Sequence, residues 1–281
     1  MVVGIIFIVL IIVSIFLIYC LVTHCTTKKE IVNRFRTGNC IVSGRKGYGK
    51  DVLFSSVINK RKDDYYANLD YTDNDKFNLI APKQLELSPN TYENFINGNI
   101  TQIKKIEGLE GKDIYFSDGG CIFPSQADSI LHKAYPSLPL FFALNRHLYN
   151  NGMHINAQRL DRIWKALREQ ADTYILIRKR RLKLPFFIVI FTTIYDKYES
   201  ALHELNPLKS RMFNKFSKAE MDKYKASNGY IRNGFIFVRK KSLKYDSRAF
   251  HKIIFGFSAP QVKRLIFRRK DKIDFDFSSE N

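Results

Sequence analysis

The stretch Gly44-Arg45-Lys46-Gly47-Tyr48-Gly49-Lys50 constrains this chain more than any other. It fits the pattern G-x-x-x-x-G-K. A short apolar strand, Cys40–Ser43, precedes it, and Asp51–Lys60 carries helical spacing after it. Strand, glycine-rich turn and helix in that order permit few folds. Glycines let the turn double back and aim successive N–H groups at one point, and the helix that follows adds the positive end of its dipole. A turn of this kind cradles a polyphosphate, with the Lys50 ammonium reaching the β and γ groups. The ligand expected here is ATP with Mg2+. Its contacts are expected from Gly44, Arg45, Lys46, Gly47, Tyr48, Gly49, Lys50, Asp51 and Val52.

One position departs from the pattern. The residue after the lysine is normally Ser or Thr, whose hydroxyl binds Mg2+. Here it is Asp51. A carboxylate is a good Mg2+ ligand, and the helix dipole tolerates negative charge at that position. Without a metal it would repel phosphates. Asp51 therefore either holds Mg2+ or marks a weakened site. A second acid is expected at the end of Ile114-Tyr115-Phe116-Ser117-Asp118, an apolar strand of Walker B shape whose Asp118 supports Mg2+. Many ATPases place Glu next, to polarise the attacking water, but here Gly119 and Gly120 follow. Gln158, after the strand His154–Ala157, is a candidate sensor of the terminal phosphate. Arg146 is a candidate arginine finger acting on a neighbouring copy, with an ordinary solvated arginine as the plainer alternative.

Beyond the loop the pattern alternates strand and helix. Tyr65–Leu69 and Asp113–Ser117 read as strands. Pro139–Asn150 reads as a helix with Leu140, Phe141, Leu144 and Leu148 on one stripe. Leu160, Ile163, Trp164 and Leu167 follow i, i+3, i+4, i+7 spacing and predict a helix over Arg159–Ala171. Tyr174–Ile177 and Phe186–Ile194 read as strands joined by the charged turn Arg178–Lys183. Ile231–Val238 adds a weaker strand signal. Residues 70–110 are polar and irregular and read as an insertion. This alternation predicts an α/β domain with a mostly parallel sheet flanked by helices.

Val2 to Val22 is a run of 21 residues without a charge. As a helix it spans about 30 Å, the thickness of a bilayer core. It lacks the basic start and small-residue cleavage site of a signal peptide, so an uncleaved transmembrane helix is expected. Lys28, Lys29, Arg34 and Arg36 follow it and nothing basic precedes it, which places the N-terminus outside and the rest in the cytoplasm. The organisation expected is an anchor over 1–26, a juxtamembrane linker over 27–38, the nucleotide-binding domain over 39–200 and a basic extension over 201–281.

The net charge of +19 points to an anionic partner, and residues 178–281 hold 25 Lys/Arg against 10 Asp/Glu. Arg178-Lys-Arg-Arg181, Arg239-Lys-Lys241 and Arg268-Arg-Lys270 alternate with aromatics such as Phe186, Phe187, Tyr230, Phe235, Phe237 and Phe267. That mixture suits DNA phosphates and stacked bases, anionic headgroups, or coat protein. Four cysteines without CxxC spacing exclude a disulfide scaffold or zinc module.

The order of these residues resembles the zonular occludens toxin (Zot) domain, the assembly ATPase of filamentous phages within the FtsK–HerA-like group. The resemblance rests on the phosphate loop, the Asp118 strand followed by Gly-Gly-Cys-Ile-Phe-Pro, the pair Arg146-His147, and Asn156-Ala157-Gln158 with Leu160-Asp161-Arg162-Ile163-Trp164. It covers roughly residues 39–195. It implies a P-loop NTPase (RecA-like) fold and an ATP hydrolase of the host inner membrane that drives virion assembly or extrusion, or moves viral DNA. The partners it implies are DNA or phage coat and assembly proteins, with a homo-oligomeric ring. Two other readings stand beside it. One is a DNA-packaging or conjugative translocating ATPase. The other is a non-hydrolysing membrane scaffold with a degenerate nucleotide site.

Overall fold

The computed structural model describes residues 2–60, 63–71, 76–87, 106–198 and 229–240, with the single positions 93, 97, 201 and 243. The basic cluster at 268–270 and about half of the 70–110 stretch lie outside the described residues.

Helix α1 (Val2–Thr37) is 36 residues long. It leads into β1 (Cys40–Ser43), the phosphate-loop turn and α2 (Lys50–Ile58). Strands β2 (Tyr65–Ala67), β3 (Phe77–Leu79) and β4 (Ile114–Phe116) follow. Three helices come next: α3 (Gly119–Ile122), α4 (Asp128–Ala134) and α5 (Leu138–Tyr149). Strand β5 (Met153–Ala157), the single turn α6 (Lys165–Arg168) and strand β6 (Thr173–Ile177) complete the parallel part. Strands β7 (Leu182–Lys183), β8 (Phe187–Tyr195) and β9 (Tyr230–Arg239) close the described chain.

All nine strands form one sheet in the order β3-β2-β4-β5-β1-β6-β8-β7, with β9 on the other side of β8. From β3 to β6 the pairs are parallel, and β7, β8 and β9 pair antiparallel. The expected α/β, mostly parallel sheet flanked by helices is the observed fold. Strands covered on both faces read as unbroken apolar runs, which is why β1, β4, β5 and β6 are buried along their whole length. The apolar run after Leu184 is sheet strand β8, as its β-branched composition predicts.

Alternate residues serve the two faces. Ile41, Ile114, Phe116, Ile155 and Leu176 join Phe141, Trp164 and Leu167 in the main core on one side. On the other side Tyr115 and His154 meet Phe54 of α2 and Phe35 of α1. Phe35 is fully buried, with ring centroids 4.6 Å from His154 and 5.8 Å from Phe54. His154 sits in this layer with Nε2 3.3 Å from Asp113 Oδ2.

Helix α1 therefore has two environments. Its large apolar side chains from Ile6 to Val22 are exposed, and by length and composition it is able to cross a membrane. Its last turns bury Ile31 and Phe35 against the domain, and Phe237 of β9 donates its backbone N–H to His24 Nδ1 at 3.0 Å. Residues 27–37 continue this helix where a linker is expected. Likewise β9, inside the predicted extension, is part of the sheet.

One element differs from the sequence reading. Arg159–Ala171 is not a single helix. A 3-10 turn, Leu160–Arg162, is followed by extended Ile163, which bridges Pro124, and then by the short α6. Trp164 gives its N–H to Phe123 O at 2.7 Å instead of to a preceding turn. The i, i+3, i+4, i+7 spacing reports burial of Leu160, Ile163, Trp164 and Leu167, not helical hydrogen bonding.

Phe35→Ala should lower the unfolding free energy of the detergent-solubilised chain by about 3–5 kcal/mol, a cost typical of emptying a buried aromatic site. Urea titration checks it, with exposed Phe16→Ala as the control that leaves the midpoint in place.

Candidate functional site

Because the strands are parallel, β1, β4, β5 and β6 all end at the same edge of the sheet. Ser43 pairs with Ala157 and with Leu176, so Gly44, Gln158 and Arg178 start their loops side by side. One strand, β5, separates β1 from β4, so Asp118 leaves the sheet about 10 Å from the start of the phosphate loop. Loops at the carboxyl edge of such a sheet form the binding crevice.

The loop folds as its glycines require. Gly47 (φ 80°) and Gly49 (φ 110°) occupy left-handed conformations that a side chain disfavours. Gly44 donates to Ala157 O, and Tyr48 donates to Arg45 O, which closes the turn. Gly49 caps α2, and the first intrahelical bond is Leu53 N–H to Gly49 O at 2.9 Å. The N–H groups of Lys50, Asp51 and Val52 thus belong to the first turn, where a helix offers no acceptor. They face the side on which an anion is favoured.

Lys50 is 6% exposed. Its Nζ donates to Gly44 O at 2.9 Å and lies 3.5 Å from Arg45 O, so the amine spans the mouth of the loop. Burial pushes its pKa below the usual lysine value, and the charges of Asp51 and Asp118 oppose that shift. Both predicted acids are therefore within electrostatic reach of the lysine.

Asp51 is tied down. Its Oδ1 accepts Ser117 Oγ–H at 2.8 Å and Asn156 Nδ2 at 2.9 Å. Ser117 is held in turn by Asn68, which accepts its N–H at 2.8 Å and donates to its carbonyl at 3.1 Å. Asn156 also accepts the N–H of Asp118 at 3.0 Å. Asp118 itself is left-handed (φ 52°, ψ 48°), a conformation that costs a non-glycine residue about 1–2 kcal/mol. Next to it, Gly119 has no room for a side chain, since an added Cβ would stand 2.2 Å from Ile155 Cγ2. That contact leaves no room for a glutamate after the acid on this backbone.

The donor set suits Mg2+ in one particular way. Among the described residues no group of three or more His, Cys, Asp or Glu gathers. Mg2+ commonly takes only one or two carboxylates, with phosphate oxygens and water completing its octahedron. Two acids beside a phosphate-binding turn fit that demand.

The remaining predicted residues divide. Gln158 is exposed and follows β5 directly, beside the loop. Arg146 is elsewhere. It lies in the last turn of α5, and its guanidinium donates to Thr37 O at 2.7 Å, at the end of the sheet where β1 begins. It therefore caps α1 and is not part of this chain's own loop site. Two features escaped sequence reasoning. Asn68 and Asn156 organise both acids, yet isolated asparagines carry no motif. The turn after β6 brings Arg181 against the loop, with its Cδ 3.6 Å from where a Cβ on Gly49 would sit. The basic cluster 178–181 was noticed for its charge, but only the strand order places it here.

Strand, phosphate loop, helix and an acid-tipped strand two places away in a parallel sheet define a P-loop NTPase fold. No family model matches the sequence, and no curated protein matches it. Several solved structures resemble it distantly. The N-terminal domain of zonular occludens toxin from Neisseria meningitidis is 13% identical over 58% of this chain and 85% of its own, with a TM-score of 0.38. The DNA-packaging ATPase B204 from Sulfolobus turreted icosahedral virus is 16% identical over 59% of this chain and 95% of its own, with a TM-score of 0.35. The genome-packaging NTPase B204 of Sulfolobus turreted icosahedral virus 2, solved with ATP-gammaS, is 15% identical over 57% and 93%, with a TM-score of 0.33. Likenesses of this size assign no family.

The electrostatics around Lys50 set a pH dependence. Phosphate binding needs the ammonium form. Asp51→Asn removes a charge that holds the lysine pKa up, so Lys50 should lose its proton at lower pH. The alkaline decline of nucleotide affinity should then begin at a lower pH than in the unmodified chain. Affinity titrations between about pH 7 and pH 10 check this; an unmoved alkaline limb would mean that Asp51 does not act on Lys50.

Proposed function

We propose that this chain is a membrane-anchored P-loop ATPase that powers assembly or extrusion of a phage virion, or translocation of viral DNA. The observation that carries the reading is the convergence at one sheet edge of the buried Lys50 amine, the first-turn amides of α2, and the two acids Asp51 and Asp118. The loop amides and Lys50 bind the phosphates of ATP. Asp51 would hold a phosphate-bound Mg2+, which would supply charge screening for phosphoryl transfer, and Asp118 adds a second carboxylate at the same edge. Gln158 senses the terminal phosphate from the end of β5. Arg181 adds a positive charge beside Gly49 that disfavours release of the nucleotide.

The biological task is inferred from the resemblance of the phosphate loop, the Asp118 strand and Asn156-Ala157-Gln158 to those of Zot-type assembly ATPases. The anchor reading is supported by the exposed apolar face of α1 and by Lys28, Lys29, Arg34 and Arg36 after it. By the positive-inside rule these flanks support an N-terminus outside and an ATPase domain on the cytoplasmic side of the host inner membrane. The basic surplus after residue 178 suits a polyanionic substrate such as DNA. A ring of copies is the arrangement in which such motors act, and Arg146 completes a neighbour's site only if that ring releases it from Thr37.

Purified full-length chain in detergent should bind ATP in a Mg2+-dependent way and hydrolyse it. Lys50→Ala should weaken binding at least tenfold, about 1.4 kcal/mol. Faster turnover on addition of DNA supports translocation, and faster turnover with coat protein alone supports extrusion. Tight binding with no turnover under either condition would select the scaffold reading instead.

A further inference from the structure

This inference deepens the nucleotide-site reading and rests on it. In P-loop NTPases a hydroxyl follows the loop lysine and an aspartate ends the second strand, and the two hold Mg2+ together. Here the two groups have changed places. The residue after Lys50 is the carboxylate Asp51. The residue that meets it from the end of β4 is the hydroxyl Ser117, which donates to Asp51 Oδ1 at 2.8 Å. One carboxylate and one hydroxyl still face each other between α2 and β4, on exchanged elements.

Asp118 is then one residue too late to be the partner of the loop helix. Its backbone turns left-handed directly after Ser117, and its N–H is held by Asn156 Oδ1. It stands at the start of α3. It is only half-buried, at the carboxyl edge of the sheet where the phosphate loop also begins. Asn156 bridges the two acids, donating to the Asp51 side chain and accepting the Asp118 N–H. Such a brace fixes two acids at a set spacing for two different tasks. Gly119, with no room for a side chain, rules out a base at the following position.

We propose that Asp51, with Ser117, forms the Mg2+-facing pair on exchanged elements, and that Asp118 is the catalytic base that orients and deprotonates the attacking water. In that step the water oxygen forms a bond to the γ-phosphorus. The bond from that phosphorus to the β–γ bridging oxygen breaks, and its electron pair stays on ADP. The water proton passes to the Asp118 carboxylate and then to solvent. The step consumes ATP and water and yields ADP, phosphate and a proton.

The test uses the full chain in detergent, a fluorescent ATP analogue titrated with and without Mg2+, and turnover measured in parallel. Asp51→Asn should abolish the gain in nucleotide affinity that Mg2+ confers. Asp118→Asn should keep that gain and lower turnover by about 10²–10⁴-fold, the usual worth of a general base. Asp51→Ser should also lose the gain, and Asp51→Ser combined with Ser117→Asp should recover it, by returning each group to the other element. If the exchange variants do not fold, the isosteric Asn variants still decide the matter. Loss of the Mg2+ gain in Asp118→Asn, or its persistence in Asp51→Asn, overturns the assignment. So does full turnover in Asp118→Asn, or the absence of turnover in the unmodified chain while it binds nucleotide. No nucleotide binding by the unmodified chain is a separate outcome, and it defeats the ATPase reading itself.

Discussion

Asp51 Oδ1 takes hydrogen bonds from Ser117 and Asn156, and through that one oxygen helix α2 is fastened to the ends of β4 and β5. The phosphate loop hangs between β1 and α2, so its shape depends on where α2 begins. Moving α2 would carry the Lys50 amine away from Gly44 O and Arg45 O. Asp51 is half-buried, so losing both donors would leave part of its desolvation uncompensated. The network therefore fixes the loop, the lysine and both acids together.

The rest of the architecture serves that edge. Three parallel strands, β4, β5 and β1, deliver the second acid, the sensor position and the loop in adjacent lanes. The aromatic layer of Phe54, Tyr115, His154 and Phe35 presses α2 and the end of α1 onto the same face of the sheet. This continuity has a mechanical consequence. The helix that bears the exposed apolar face is docked, through Phe35, against the helix that carries Lys50. A change in the loop is thus separated from α1 by a single layer of rings.

Much of this was legible in the sequence, for definite reasons. The loop was visible because glycine and lysine spacing is dictated by backbone geometry and phosphate reach, which act locally. The parallel strands were visible because burial on both faces forces continuous apolar runs. The stretch from Arg159 to Ala171 was misread because four buried side chains at helical spacing also arise from a chain that folds back over a core, here pinned by Trp164 to Phe123. Arg146 looked like a site residue, and its partner at Thr37 is 109 residues away in sequence, so no local pattern could reveal the capping role. The pairing of Asp51 with Ser117 spans 66 residues and was hidden for the same reason. Asp51 alone read as an irregular motif; beside Ser117 it reads as half of an exchanged pair.

The central claim is that a nucleoside triphosphate sits on the amides that run into α2. Amide hydrogen exchange of the full chain with and without Mg-ATP tests it directly, because amides engaged by phosphate exchange slowly. The account predicts slower exchange at residues 44–53, with a smaller effect at 117–118. Unchanged exchange over 44–53 at saturating ATP, or protection confined to other segments, would contradict it.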